Sequence, residues 1–100
     1  MILLSESRLR VSPTMYLVDK DGRLVGAVPL AKIVLAKAGD KLSSLTQEPL
    51  ISTHAGAREK QVAELFDKYN LITLPVVDDD NRLTGVITSD DVISLLRAKL

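Results

Sequence analysis

The sequence predicts a mixed α/β fold made of two tandem copies of one unit, with the first copy truncated at its N-terminus. A shift of 59 positions brings matching residues into register through a glycine and several charged positions. Segments with strand-like apolar runs and turn residues also alternate with segments of helical periodicity. The matched positions are Val18-Asp19 with Val77-Asp78, Asp21 with Asp80, Arg23-Leu24 with Arg82-Leu83, Gly26 with Gly85, Val28 with Ile87, and Ile33-Val34 with Val92-Ile93.

Each copy ends with a strand, a tight turn, a second strand and a helix. In the second copy, residues 74–77 and 83–88 are the two strands, and residues 79–82 supply the turn. Asn81, like Gly22 in the first copy, suits the positive φ angle that such a turn requires.

The helix that follows in the second copy has a start signal of its own. Thr88 or Ser89 is suited to cap it, and Asp90 and Asp91 fall in the first turn, where the helix dipole favours acids. In the first copy the same helix is expected to start with Pro29 and to end near Gly39. The apolar positions of the second helix are Val92, Leu95 and Leu96.

Only the second copy has an upstream half. Residues 51–53 are expected to form a short strand, and residues 57–69 form an amphipathic helix with one buried stripe. That stripe consists of Val62, Leu65, Phe66 and Tyr69. The full unit therefore reads strand, helix, strand, strand, helix.

These elements divide the chain into three parts. Residues 1–14 are expected to hold at most the tail of the first copy's upstream helix. Leu42 and Leu45 are the apolar anchors of a polar linker. The partial first copy, the linker and the complete second copy are expected at residues 1–38, 39–49 and 50–100.

Composition limits the classes of function. One hundred residues suffice for one compact domain, and 46% apolar content excludes disorder. A net charge of zero gives no field to attract nucleic acid or an anionic membrane, and no cysteine is present for thiol or zinc chemistry. No apolar run is long enough to span a bilayer. We therefore expect a soluble, intracellular chain that does not bind nucleic acid.

The motifs resemble a known family. Gly85-Val86-Ile87-Thr88-Ser89-Asp90-Asp91 at the end of a tandem βαββα unit resembles the CBS (cystathionine-β-synthase) domain pair. The stretches MYLVDKDGRLVG, DKLSSL and VAELFDKYNLITLPVVDDDNRLTGVITSDDVISLL further resemble the cytosolic CBS region of MgtE-type magnesium transporters. The resemblance covers residues 15–100.

That resemblance implies a regulatory module. CBS pairs bind adenosine nucleotides in the cleft between their repeats and dimerise through their CBS domains. In MgtE-type transporters the region senses Mg²⁺, which bridges acidic faces of the CBS pair, a preceding helical domain and the helix leading to the membrane pore. The resemblance therefore implies Mg²⁺ and ATP or AMP as ligands. It also implies a cytoplasmic domain of an integral membrane protein.

Thr88 and Asp91 are the leading candidates for the nucleotide site. By the resemblance, the threonine faces phosphate and the aspartate accepts hydrogen bonds from ribose hydroxyls. A helix cap with a dipole-favoured acid explains both residues without a ligand. The first copy has Pro29 and Lys32 there, so the fold does not require Thr and Asp. The other expected wall residues are Ile51, Ser52, Thr73 and Pro75, from the segments at 50–52 and 72–75.

Clustered carboxylates are the candidate metal ligands. Mg²⁺ prefers oxygen ligands and keeps several waters, so one or two carboxylates per ion suffice. The alternative is a solvated hairpin tip, because Asp and Asn are good turn formers. His54 is expected to be a solvated loop residue. The candidates are Asp78, Asp79, Asp80, Asp90 and Asp91.

Three functions remain open. The preferred one is a Mg²⁺-sensing CBS region of an MgtE-type transporter, and the second is an adenine-nucleotide-sensing CBS module of another transporter or enzyme. The third is a dimerisation scaffold that binds nothing. Catalysis is disfavoured, because Asp90 and Asp91 are adjacent on a helix and project about a hundred degrees apart.

Overall fold

The fold consists of five strands, three helices and one 3₁₀ turn within residues 14–99, which a computed structural model describes. The helix tail expected within residues 1–14 lies outside the described residues, except for Thr14, which begins the first strand. In chain order the elements are β1 (Thr14–Val18), β2 (Leu24–Pro29), α1 (Leu30–Leu35), the 3₁₀ turn (Leu42–Ser44), β3 (Thr53–His54), α2 (Glu59–Tyr69), β4 (Thr73–Val77), β5 (Leu83–Thr88) and α3 (Ser89–Lys99).

The chain divides into two compact units. The first combines the segment up to Leu17 with Val25–Leu50, and the second combines Val18–Leu24 with Ile51–Leu100. The turn of the first copy therefore belongs to the second unit, together with the second copy from Ile51 onward.

A three-stranded sheet in the order β3-β4-β5 organises the second unit. β3 runs parallel to β4, with Thr53 opposite Val76, and β4 and β5 form an antiparallel hairpin. Pro75 lies in β4 opposite Val86. The sheet tolerates this proline because the short β3 pairs with β4 only from Val76 onward.

The core of this unit forms where α2 meets the sheet. Val62 and Phe66 of α2 are buried against Leu74, which has no exposed surface. Leu65 is partly buried, whereas Tyr69 at the helix end is 37% exposed. The partly buried side chains around these three are Ile51, Ala57, Leu65, Leu71, Ile87 and Val92.

Helix α2 begins later than the sequence indicates and ends where a left-handed residue stops it. The helix starts at Glu59, two residues after the expected start. Asn70 has a φ of 51° and its N–H bonds the carbonyl groups of Phe66 and Asp67. Asparagine adopts this conformation more readily than most residues, so it closes the helix at Tyr69.

Helix α1 of the first copy is shorter than the sequence predicts. Pro29 is the last residue of β2, with a ψ of 137°, and is not in the first helical turn. The helix ends at Leu35, and Gly39 lies in a separate turn in which the Asp40 N–H bonds the Lys37 carbonyl at 3.0 Å. The expectation for both ends was therefore wrong. No residue of α1 is buried, so packing does not extend it.

The linker is bound to β2. The Ala27 N–H donates to Thr46 Oγ1 at 2.9 Å, and the Ala27 carbonyl accepts from the Gln47 N–H at 2.8 Å and the Thr46 hydroxyl at 3.2 Å. Polar linker residues thus act as a backbone partner for the strand. Leu42, expected as an apolar anchor, is 46% exposed.

Candidate functional site

Thr88 and Asp91 bond each other at the start of α3. The Thr88 N–H donates to Asp91 Oδ2 at 2.9 Å, and the Asp91 N–H donates to Thr88 Oγ1 at 3.2 Å. This reciprocal pair satisfies two backbone donors at the strand–helix junction. Thr88 is therefore the capping residue, in preference to Ser89.

The same contacts set the charge state of Asp91. The Thr88 backbone N–H, and after it the Thr88 hydroxyl, hold the pKa of Asp91 below its ordinary value of 3.8, with partial desolvation opposing them. A carboxylate that accepts hydrogen bonds in its charged form is favoured in that form. Asp91 is accordingly an ionised acceptor at neutral pH. Its carboxylate has four acceptor positions in all, so the cap leaves capacity for a ligand.

The expected nucleotide residues converge at one end of the sheet. Thr73 lies opposite Thr88 in the β4–β5 register. The Ser89 N–H donates to the Ile72 carbonyl at 2.8 Å, which joins the start of α3 to the entry of β4. β3 is parallel to β4, so Ser52 enters the sheet from this same end.

Two expected wall residues lie inside the unit. Pro75 is among the largest fully buried side chains. Ile51 is partly buried and packs against the core formed by Val62, Phe66 and Leu74. The accessible members at this end are consequently Ser52, Thr73, Thr88 and Asp91, which are exposed or half-buried.

Two hollows in the second unit each have one of the expected nucleotide-binding residues in their lining, and these are Ser52 and Asp91. One, of about 570 Å³ between β3 and α2, is lined by Ser52 together with the polar side chains of Gln61, Glu64 and Lys68. The other, of about 630 Å³ between α2 and α3, has Asp91 in its lining with Val62, Val92 and Leu95. The apolar groove therefore carries the carboxylate.

The turn after β4 is built around Asp78. Its Oδ1 accepts from the N–H groups of Asp80 and Arg82, each at 2.9 Å. The turn of the first copy repeats this: Asp19 Oδ1 accepts from Asp21 and Arg23 at the same distance. Asp78 and Asp19 thus have a structural role that the sequence had indicated only as turn chemistry.

Asp19 is also shifted in its protonation. The Arg23 backbone N–H is the largest cause that lowers the pKa of Asp19 from 3.8. The Asp21 N–H and the positive charges of Arg23 and Arg82 act in the same direction, and desolvation opposes them. The carboxylate is thereby held ionised in its turn.

The two turns pair with each other within the second unit. Arg23 and Arg82 form an antiparallel bridge. The Leu24 N–H donates to the Asn81 carbonyl, and the Leu83 N–H donates to the Gly22 carbonyl, each at 2.9 Å. The sequence expectation of positive φ is confirmed, with 63° at Asn81 and 84° at Gly22.

Sequence reasoning missed how side chains support this pairing. Asn81 Nδ2 donates to the Leu24 carbonyl at 3.1 Å, and Arg23 Nε donates to the Asp80 carbonyl at 3.3 Å. An Arg23–Asp21 ion pair at 3.6 Å lies beside them. The repeat carried a signal for the contact, because matched Arg-Leu pairs follow both turns.

The five candidate metal ligands occupy opposite ends of β5. Asp78, Asp79 and Asp80 precede this strand, and Asp90 and Asp91 follow it. Six residues in extended conformation span roughly 17–20 Å, far more than the reach of one ion. Among residues 14–99, no three His, Cys, Asp or Glu side chains are grouped to hold a metal. The described chain therefore offers single carboxylates or pairs, which fits Mg²⁺ only with water or another surface as further ligands.

His54, which the sequence predicts to have no part in a site, lies near one of these acids. It lies in β3, and its Nδ1 is 4.0 Å from Asp79 Oδ1, with both side chains largely exposed. The expectation of a loop residue was wrong, although the side chain is solvated as expected. An exposed contact at this distance contributes little stability.

The order of the elements and the helix-start motif are those of a class of small α/β domain that occurs in tandem copies. The CBS domain profile matches residues 42–98, so the chain belongs to the CBS domain family. Its order of strand, helix, strand, strand, helix in the second copy agrees with the mixed α/β fold that the sequence predicts.

Magnesium transporters are among the most similar proteins. The magnesium transporter MgtE of Thermus thermophilus is 32% identical over 85 residues, which is 85% of this chain and 19% of the relative. The cytosolic domain of the Mg²⁺ channel MgtE in complex with ATP has a TM-score of 0.77 at 30% identity, covering 82% of this chain and 33% of that one.

Another similar structure binds different ligands. A CBS domain pair in complex with 5-methylthioadenosine and S-adenosyl-L-methionine has a TM-score of 0.71 at 29% identity and covers 94% of this chain and 77% of that one. The chain spans about a fifth of the length of the curated relative. Within residues 14–99, we find no helix with the length and apolarity needed to traverse a bilayer.

Proposed function

We propose that this chain is the regulatory CBS region of an MgtE-type magnesium transporter and that the Thr88–Asp91 end of β5 binds an adenine nucleotide. The observation that carries the proposal is the reciprocal bonding of Thr88 and Asp91 at the exposed start of α3. An ionised acceptor and a hydroxyl are held together there, next to Thr73. The same pair is absent from the first copy, which has Pro29 and Lys32.

The chemistry of this end suits a nucleotide. The Asp91 carboxylate, kept ionised, accepts hydrogen bonds from ribose hydroxyls, while hydroxyls such as those of Thr88 and Ser52 donate to phosphate. Asp91 also lies on the rim of the apolar groove between α2 and α3, where an aromatic base would be desolvated. We propose Ser52, Thr73, Thr88 and Asp91 as the ligand contacts, with Ile51 and Pro75 supporting them from inside.

We propose further that Mg²⁺ acts at the exposed acids. Asp79 and Asp80 at the hairpin tip and Asp90 at the helix start are exposed, whereas Asp78 and Asp91 are committed to backbone N–H groups. Mg²⁺ would bridge such acids to a facing surface of a second CBS copy or of a preceding helical domain. Relief of carboxylate repulsion then favours a closed arrangement of the transporter when Mg²⁺ is plentiful.

A second candidate is a nucleotide-sensing CBS module of another protein. The similar CBS pair in complex with 5-methylthioadenosine and S-adenosyl-L-methionine favours it, because that ligand class has the same ribose chemistry without a metal partner. A scaffold that only dimerises is the third candidate. In none of the three does the chain carry out catalysis.

Titration calorimetry of the chain with ATP, AMP and MgCl₂ separates these candidates. The proposal predicts binding of ATP or AMP that Asp91→Asn abolishes, and a separate heat with millimolar Mg²⁺. Asp90→Asn is the matched control, because Asp90 is the neighbouring exposed acid of the same helical turn. It should leave the nucleotide dissociation constant within about twofold of the wild-type value. A twofold change corresponds to only about 0.4 kcal/mol.

The outcomes assign one candidate each. Nucleotide binding that requires Asp91, with no response to Mg²⁺, favours the second candidate over the transporter. Silence toward both ligands, with a stable dimer by sedimentation, favours the scaffold. Circular dichroism of Asp91→Asn must show an intact fold, because this residue also caps α3.

The parent gene supplies an independent check on the transporter. We propose that residues 1–38, 39–49 and 50–100 are a partial first CBS repeat, a linker and a complete second repeat on the cytosolic side. Successive hydrophobic spans of about 20 residues encoded after Leu100 would support a membrane pore domain. A gene without them contradicts the transporter and leaves the other two candidates.

A further inference from the structure

Among residues 14–99, no segment covers the outer edge of β5, whereas the same edge of β2 is covered. β5 is an edge strand of its sheet, and Val86 is 43% exposed. Thr84 and Gly85 beside it are exposed as well. The positions 59 residues earlier, at Gly26 and Ala27, are buried in the first unit. Equivalent positions of the two strands are therefore buried in β2 and exposed in β5.

The hairpin register fixes which backbone groups face this edge. The Ser89 N–H donates to the Ile72 carbonyl, so alternate pairs counted from there exchange hydrogen bonds and the pairs between them do not. Val86 lies opposite Pro75, in one of the pairs that do not. Proline has no N–H to donate, which agrees with this assignment. The N–H and carbonyl groups of Val86 thus point away from β4 towards the open edge.

The first copy demonstrates how such an edge is covered. Ala27, the equivalent of Val86, has both of its outward groups satisfied by two consecutive linker residues, Thr46 and Gln47. The threonine hydroxyl accepts from the Ala27 N–H at 2.9 Å, and the glutamine N–H donates to the Ala27 carbonyl at 2.8 Å. A short stretch of chain with one hydroxyl residue is therefore sufficient to cover the edge.

The equivalent glycines indicate that β5 is shaped for the same kind of cover. A Cβ on Gly26 would lie 2.9 Å from Thr46 Oγ1, so the covering hydroxyl requires a glycine there. A Cβ on Gly85 would meet nothing within 4 Å, and Gly85 does not have a positive φ. Glycine weakens a strand interior. No contact among the described residues requires a glycine at position 85. A hydroxyl side chain placed over this position, as Thr46 is placed over Gly26, would require one.

We propose that the open edge of β5 at Gly85 and Val86 is a docking site for an extended peptide segment with a Thr or Ser followed by a free N–H. The hydroxyl would lie over Gly85 and accept from the Val86 N–H, and the next residue would donate to the Val86 carbonyl. This is strand addition to a sheet edge, in which backbone groups supply the contacts and the Thr or Ser supplies the specificity.

The test is a titration of the whole ¹⁵N-labelled chain with the peptide LSSLTQEPL, the sequence of residues 42–50. Binding should slow hydrogen exchange of the Val86 amide at least tenfold at saturating peptide. A peptide with Thr46→Val keeps the shape and lacks the hydroxyl, so it should not protect Val86. The amide of Ala27, already bonded, should stay unchanged with either peptide.

Two glycine variants of the chain complete the test. Gly85→Ala should fold normally, since its Cβ enters open space, and should lose peptide binding because that Cβ occupies the position of the hydroxyl. Gly56→Ala is the matched control: its Cβ also meets nothing within 4 Å, but it lies away from this edge, and it should bind as the wild type.

Three results would overturn the proposal. The first is no protection of Val86 at millimolar LSSLTQEPL. The second is binding that survives Gly85→Ala or occurs equally with the valine peptide. The third is protection that rises with protein concentration in the absence of peptide, which would assign the edge to a second copy of the chain.

Discussion

Arg23 and Arg82 face each other in an antiparallel bridge, and the hydrogen bonds on its two sides are related by the repeat itself. In the repeat of 59 positions, Leu24 is equivalent to Leu83, and Gly22 is equivalent to Asn81. The hydrogen bond from the Leu24 N–H to the Asn81 carbonyl is therefore equivalent to the bond from the Leu83 N–H to the Gly22 carbonyl, and each measures 2.9 Å. A local two-fold relation thus runs through the bridge, and the repeat in the sequence corresponds to a contact in the fold.

The clearest stability test of this pairing is Asn81. Asn81→Ala places an ordinary side chain at a φ of 63° and deletes the amide bond to the Leu24 carbonyl. The left-handed conformation costs about 1–2 kcal/mol and the lost bond about 0.5–1.5 kcal/mol. We expect urea denaturation to show a free energy of unfolding lower by about 2 kcal/mol. Asn81→Gly should lose less, because glycine adopts this φ freely. Equal losses in the two variants would contradict the conformational part of the explanation.

The helix start provides a second test. Thr88→Val removes the hydroxyl that accepts from the Asp91 N–H, and loss of such a cap costs about 1 kcal/mol. Thr88→Ser should retain most of the stability. The control is Asp90→Asn, which leaves the cap untouched. In a double-mutant cycle, Thr88→Val and Asp91→Asn should lose less together than the sum of their separate losses, since each breaks the same reciprocal pair. Additive losses would indicate that the two side chains act independently.

Protonation of Asp91 supplies a third test. Its pKa is lowered in the folded chain, chiefly by the Thr88 backbone N–H, so ionised Asp91 stabilises the fold. That contribution is complete above the ordinary value of 3.8 and is lost as the pH falls through the lower, folded pKa. Carboxyl ¹³C shifts in an NMR titration should place the midpoint of Asp91 below 3.8.

The variant Thr88→Val gives the direction of change. It removes the second of the two causes and keeps the first, so the pKa of Asp91 should rise while remaining under its ordinary value. Asp19 is a useful internal reference, because its pKa is lowered by contacts of the other turn that this variant leaves intact. A midpoint for Asp91 that does not move in the variant would contradict the role of the hydroxyl.

Local chemistry explains which parts of the fold could be predicted. Positive φ at Gly22 and Asn81, the strand at residues 83–88 and the acidic first turn of α3 all depend on neighbouring residues, and all are confirmed. Helix α1 was predicted wrongly because its length depends on packing that a linear pattern does not contain. The linker contact at Thr46 also depends on a partner strand distant in sequence.

The candidate site shows the same division. The pairing of Thr88 with Asp91 could be predicted from their spacing, because residues at the cap and three positions on meet in a helix start. The grouping of five aspartates could not. Asp78 and Asp91 lie only thirteen positions apart in the sequence, yet β5 places them at opposite ends of a strand. Closeness in sequence does not give closeness in space when an extended strand intervenes.

That separation leads to the last prediction, on Mg²⁺. The hairpin tip and the helix start lie roughly 17–20 Å apart, well beyond a screening length of about 8 Å at physiological ionic strength. Ions at the two ends should therefore bind independently. Amide shifts in a MgCl₂ titration should respond at both ends, and the double variant Asp79→Asn with Asp80→Asn should abolish the response of the tip alone. Asp90→Asn should do the reverse.

Both variants leave the backbone contacts of Asp78 and Asp91 in place, so the fold should be preserved. Asp67→Asn, on the exposed side of α2, is the control for the loss of one acid elsewhere. NaCl at matched ionic strength should give neither response. Na⁺ screens the acids in a general way, whereas the expected Mg²⁺ response requires coordination by carboxylate oxygens. If one variant removes the shifts at both ends, the two ends do not bind Mg²⁺ independently and the prediction is wrong.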